Sequence, residues 1–235
     1  SGKIKLVETD DGSETLLAES SDSAISGSIQ TSETRMAVGT WSGSPQSVFF
    51  ANENEDALYR VAPGGSVVEV TPLSDGPSGV LGIRDIDSDS DDEVVYIGSS
   101  DEIRYLNKDG STGSTGITAD QNNGVGAGSI ADYDGDGDAA VAMVESGQIR
   151  LAGATWDHKI TDSDIQGGTA PSSVTKAPPT AADVDDDTET ELLYVASGGD
   201  LRYLDELGGL TDITVRDLTD ENKNAISGDD YTGVV

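Results

Sequence analysis

No cysteine occurs among the 235 residues, so the chain has neither disulfides nor thiolate metal sites to hold it. Aromatic residues make up only 5%, and histidine occurs once, as His158. Any Ser-His-Asp chemistry would have to rest on that residue; in "WDH" it lies in a variable connection and reads as a surface side chain. Basic residues are scarce too, 13 Lys and Arg against 45 Asp and Glu, a formal charge of −32. Phosphate recognition needs a basic face, so nucleic acid is excluded as a partner, and an anionic membrane would repel the chain. No apolar stretch approaches the roughly 18 residues of a membrane span, which excludes direct insertion. No window of about 11 residues carries a helical period, and no Gly-rich phosphate loop with its Lys is present. No signal peptide is visible, and the chain opens at Ser1 rather than Met, which reads as a processed or excised piece of a larger polypeptide or surface assembly.

Enough apolar material is nevertheless present for a core: 34% of residues are hydrophobic, with 29 Gly besides. High negative charge with little Lys has two readings. Disorder is one, because a highly charged chain poor in apolar groups cannot offset its chain entropy. The other is a halophile's surface, since molar salt shortens the Debye length to about 3 Å and removes most self-repulsion. Regular apolar runs favour the second, and in this style of surface the chain resembles haloarchaeal proteins.

Those runs repeat. A short strand signature recurs as "IKLV" (4–7), "LYRV" (58–61), "IRYL" (103–106), "IRLA" (149–152) and "LRYL" (201–204), at spacings of 45 to 54 residues. Each copy has the period-two pattern of a half-buried strand. From the second copy on, each follows a polar turn and an apolar run, "VFFA", "VVYI", "AVAM" or "LLYV", which makes a hairpin. "SETLLAE", "SVVEVTP" and "TDITVRD" suggest a third strand per unit. Small-residue stretches "MAVGT", "VLGIRD", "GSIADYD" and "TAADVD" supply a fourth, placed innermost because Ala, Gly and Ser allow close approach. Four short strands every 45 to 50 residues or so describe a propeller blade. The expectation is an all-β, five-bladed β-propeller with four antiparallel strands per blade. The first copy lacks its inner strands, and the tail "NAISGDDYTGVV" has strands of that kind, so the closing blade is expected to be shared by the N- and C-termini, leaving no open edge there. The expected blades are 1–35 with 224–235, then 36–79, 80–125, 126–177 and 178–223, forming one domain over 1–235.

Three units carry an acidic loop after the innermost strand. "DIDSDSDDE" has Asp85, Asp87, Asp89, Asp91 and Glu93; "DYDGDGDAA" has Asp132, Asp134, Asp136 and Asp138, with Ala140 in the last place. "DVDDDTETE" has Asp183, Asp185, Asp187, Glu189 and Glu191. Ca²⁺ takes six to eight oxygens at about 2.3–2.6 Å, and alternating acids on a tight loop can deliver them. Places 1, 3, 5 and 9 would give side chains, and place 7 (Asp91, Asp138 or Glu189) its backbone carbonyl. An ion-free acidic surface is the competing reading, but strict alternation at the same place in three consecutive repeats favours calcium. "TWSGSPQSV" (40–48) keeps no acid, and the closing unit has only Asp229 and Asp230.

The nine-residue pattern runs straight into a strand, unlike an EF-hand, which closes at place 12 and is flanked by helices. It resembles the calcium loop of the FG-GAP and VCBS repeats, the family that builds the integrin α-subunit propeller, well over about 80–205 and elsewhere only by repeat period. That resemblance implies ligands on Asp85, Asp87, Asp89 and Glu93, and on Asp183, Asp185, Asp187 and Glu191. In the middle loop it carries over three aspartates, with Ala140 leaving a weaker site or one that uses Asp138. Two Ca²⁺ sites and a weaker third are expected.

Glycosidases need two carboxylates about 5–10 Å apart, and the inner strands offer no such pair beyond the loop acids. Trp41 and Trp156 could stack on sugars, although two tryptophans in unlike contexts read first as core. The expectation is therefore a non-catalytic, calcium-stabilised propeller on the outside of a halophile or on a virion, serving recognition, adhesion or surface assembly with a protein or glycan partner. A carbohydrate-binding lectin and a glycan-cleaving propeller enzyme are the alternatives.

Overall fold

The computed structural model describes residues 3–7, 12–25, 29, 36–52, 57–72, 77–119, 126–154, 156–172, 174, 179–184, 190–196 and 199–218. Among these, regular structure is almost wholly β. The strands are β1 (Lys3–Val7), β2 (Glu14–Glu19), β3 (Ala37–Gly39), β4 (Ser47–Ala51), β5 (Ala57–Val61) and β6 (Val68–Pro72). Then come β7 (Pro77–Arg84), β8 (Glu93–Gly98), β9 (Glu102–Leu106), β10 (Thr112–Thr118), β11 (Gly126–Ala131) and β12 (Ala140–Glu145). The series ends with β13 (Gln148–Ala152), β14 (Asp157–Lys159), β15 (Thr180–Ala182), β16 (Glu191–Val195), β17 (Leu201–Asp205) and β18 (Thr214–Asp217). They form four four-stranded meanders, β3 to β6, β7 to β10, β11 to β14 and β15 to β18, and a two-stranded sheet of β1 and β2. Every strand pairing is antiparallel.

Sequence pattern explains the order within each meander. The second strands β4, β8, β12 and β16 are the continuous apolar runs, buried along nearly their whole length, as expected of strands covered on both faces. The third strands β9 and β13 alternate buried with half-buried positions. The turn between β12 and β13 is two residues, Ser146 and Gly147, with φ of 53° and 80°, the left-handed pair that a tight hairpin requires. Residues 224–235, expected to complete the first sheet, lie outside the described residues.

The chain divides into two compact units, Ser1–Arg84 with Asp91–Thr118, and Asp85–Ser90 with Ala119–Val235. In the first unit one core cluster gathers Phe49, Leu58, Val80, Val94 and Leu106, and another gathers Ile4, Ile29, Phe50 and Tyr59. Both phenylalanines of the chain are fully buried there, so the few aromatics are placed where burial counts most, roughly 1.5–3 kcal/mol each. Trp41 packs edge-on to Phe49 with ring centroids 6.4 Å apart. The second unit has one cluster built on Tyr133, Ile149, Leu151, Leu192, Tyr194, Leu204 and Ile213, with Trp156 packed against it.

The small-residue strands do approach closely. Within the first unit a Cβ at Gly39 of β3 would lie 2.8 Å from Ile83 Cδ1 on β7. Within the second, a Cβ at Gly128 of β11 would lie 2.2 Å from the carbonyl oxygen of Pro179, just before β15. Ser129 N donates to that same carbonyl at 3.1 Å, and Ala181 N donates to Ser129 Oγ at 2.7 Å.

Candidate metal centre

Each acidic loop begins where a first strand ends, and its second residue anchors it: Ile86 and Tyr133 are buried. The first aspartate then clamps the loop. Asp85 Oδ1 accepts from Ser88 N at 2.9 Å and Oδ2 from Ser90 N at 2.8 Å. Asp132 repeats the arrangement, Oδ1 accepting from Gly135 N at 2.8 Å and Oδ2 from Gly137 N at 3.0 Å. In both loops the third and fifth residues after the clamp have positive φ: Ser88 68° and Ser90 71°, Gly135 73° and Gly137 99°. Two sequences with different residues at those places therefore adopt one backbone path.

That path gathers carboxylates. Asp85, Asp87, Asp89 and Glu93 each offer an oxygen, all within 4.8 Å of one another, and so do Asp132, Asp134 and Asp136. Oxygens gathered this closely could share one divalent cation, of the hard, oxygen-liganded kind that carboxylates hold. Glu93 is fully buried at the ninth place. In the middle loop Asp134 Oδ1 is buried without a hydrogen-bond partner. Its burial, and then the charges of Asp136 and Asp132, hold the Asp134 carboxyl above the usual carboxylate range, and a cation among the three would reverse that penalty.

The seventh places behave differently from the rest. Asp91 pairs with Lys108 Nζ at 2.9 Å. The Asp138 carboxylate accepts from Ser88 Oγ in the neighbouring loop, while its N donates to Asp136 Oδ1 at 2.9 Å. Ala139 N donates to Asp85 O at 2.7 Å, so residues 85–90 and 132–139 lie side by side in the second unit. In the third loop Glu191 is buried and accepts from Val184 N, and Asp183 is exposed. Asp185, Asp187 and Glu189 lie outside the described residues, as do Asp229 and Asp230.

His158 is on β14, half-buried rather than on a surface connection, with Nε2 at 3.2 Å from Asp164 Oδ2. Sequence reasoning missed this strand and β10, the outer strands of their sheets, because "DHK" and "TGSTGIT" have no apolar alternation to mark them.

No family model and no curated protein matches the chain. Solved structures do. The selenomethionine-substituted virginiamycin B lyase from Staphylococcus aureus superposes with a TM-score of 0.52 at 14% identity, covering 94% of this chain and 64% of that one. A catalytically inactive histidine-to-alanine variant of that lyase with quinupristin gives 0.53 at 14% identity, with the same coverage. A streptogramin B lyase gives 0.53 at 14%, covering 94% and 63%. The chain thus spans less than two thirds of the lyases' length, and the likeness establishes a β-propeller-like, all-β fold. It also corrects the expectation of a non-catalytic chain. That expectation rested on inner strands without a carboxylate pair, whereas the same architecture carries enzymes whose names are those of lyases, a class that need not use the glycosidase pair.

Proposed function

We propose that the chain is a calcium-stabilised, five-bladed propeller of the FG-GAP/VCBS type, its closing blade completed by residues 224–235. It serves as a recognition, adhesion or assembly module for a protein or glycan partner on the outside of a halophile's cell or virion. The observation that carries the reading is the repeated loop. Asp85 and Asp132 make the same two-hydrogen-bond clamp in consecutive sheets, and the next acids gather beside them closely enough to share one cation. Asp183 and Glu191 hold the first and last places of a third such loop. In a chain without cysteine, such ions would fasten loops that disulfides fasten elsewhere.

Calcium removal tests it. An ion at about a hundred times its Kd stabilises by about 2.7 kcal/mol, and at about 2–4 °C per kcal/mol for a chain of this size EDTA in molar NaCl should lower Tm by roughly 5 °C or more. An unchanged Tm, with no calcium retained on desalting, would remove the metal sites. For the recognition role, the labelled chain should decorate haloarchaeal cells in molar salt, less so after EDTA; cells left bare with calcium present would count against it.

A further inference from the structure

We infer that a cavity in the second unit, remote in sequence from the Asp85 and Asp132 loops, binds a neutral polyhydroxylated ligand the size of a single sugar ring. Strand register builds its floor. Tyr194 on β16 lies directly opposite Arg202 on β17, and Arg202 directly opposite Asp217 on β18. Side chains two apart on a strand share a face, so Ala196 and Val215 join Tyr194, Arg202 and Asp217 on one side of the sheet. Residues 169–172 and Val174 line that side, with Val174 N donating to Gly147 O at 3.0 Å and a bridge from Val174 to Ala196. Between them is a cavity of about 330 Å³, lined by Tyr194, Ala196, Arg202, Val215, Val174 and Ser172 among others. That is the low end of small-molecule sites.

Charge decides the ligand class. Arg202 is the copy, in this sheet, of an arginine at the second place of the repeated motif, as Arg104 and Arg150 are in theirs. Arg150 is gripped at both ends by Asp157, with Nε and Nη2 bonds of 2.6 and 2.5 Å. Arg202 is held at single points, Nε at 2.9 Å from Asp217, Nη2 at 3.8 Å from Asp200 and a side-chain hydrogen bond with Tyr194, fewer partners than its five N–H donors. Two carboxylates beside one guanidinium, in a chain of charge −32, disfavour an anion, and the guanidinium disfavours a cation. Donors and acceptors side by side suit vicinal hydroxyls, each of which both donates and accepts. Half-buried Ala196 and Val215, over the buried Tyr194 and Val174, give the cavity an apolar wall for the C–H face of a ring.

The test is saturation-transfer NMR on the whole chain in molar NaCl, with and without calcium, using methyl glycosides of glucose, galactose, mannose and N-acetylglucosamine, and inorganic phosphate as the anionic probe. At least one glycoside should contact the protein and phosphate should not. Arg202→Ala should weaken that glycoside by roughly tenfold or more. Ser172→Trp, at an exposed rim position, should abolish the signal while leaving Tm unchanged; Thr169→Trp, also exposed, serves if the first variant misfolds. Silence from every glycoside, stronger binding of phosphate, or signal surviving a folded Trp variant would overturn the inference. None of these outcomes bears on the calcium sites, which the EDTA experiment tests separately.

Discussion

Ser88 and Ser90 sit in the left-handed region, where the matching positions of the next loop are Gly135 and Gly137. For an L-residue that conformation costs about 1–2 kcal/mol, so the first loop is made from strained serines and the second from relaxed glycines. Ser88 has a compensating bond to Asp138; Ser90 is exposed. Ser90→Gly should therefore raise stability by about 0.5–1 kcal/mol after the extra unfolded-chain entropy of glycine is offset, read as a higher denaturation midpoint in molar salt. A lowered midpoint would show that the serine side chain itself holds the loop. Alternating acids were legible in the sequence because ligand type and spacing are written in it. The clamp of Asp85 and Asp132 was not, since it depends on where the N–H groups of later residues point. Nor was the turn of Asp138 towards Ser88, which requires two loops distant in sequence to be neighbours.

At the scale of strands and hairpins, the inner strands depend on absent side chains and the outer strands on ion pairs. A methyl at Gly128 would meet the Pro179 carbonyl, which is backbone and cannot swing aside. Gly128→Val should destabilise by about 1–3 kcal/mol, as overpacking does; thermal melting of the variant checks it, and an unshifted melt would mean that β11 and β15 separate at little cost. On the outer side, the hydrogen bonds from Arg150 hold the Asp157 carboxyl below its usual range, against the opposing effect of burial. A depressed carboxylate contributes stability above its unfolded pKa of about 3.9 and loses it as pH falls through the lower folded value. Arg150→Gln should accordingly reduce stability at neutral pH and flatten its fall below about pH 4; parallel acid titrations of the two proteins would fail the idea if they differ by a constant. Apolar runs made the second and third strands legible. Strands β10 and β14 were not, because their Gly, Ser, Thr and charged residues leave no apolar periodicity.

Over the whole molecule, the repeat and the charge were both legible, because each is a property of many residues and survives local irregularity. The cavity beside Arg202 was not: three third strands supply an arginine at the same place of the motif, and only the neighbours contributed by other strands decide how tightly each is held. The charge leads to the last expectation. A net −32 is spread over a 24.2 kDa chain, and its exposed ion pairs, such as Lys3 with Glu19, are of the kind worth about 0–1 kcal/mol. They cannot offset repulsion among the remaining acids. At 1 M salt the Debye length is about 3 Å and each acid interacts with little beyond its neighbours; at 0.1 M it is about 10 Å and repulsion spans several side chains. Bound calcium would neutralise two or three loops and leave most of the surface acids as they are. Dilution from molar NaCl to about 0.1 M should therefore unfold the chain even with calcium present, followed by loss of its β-type circular dichroism. Sucrose at the same ionic strength separates the causes. Recovery in sucrose alone would assign the salt effect to general exclusion from the protein surface, whereas recovery only with salt would assign it to screening of the acids.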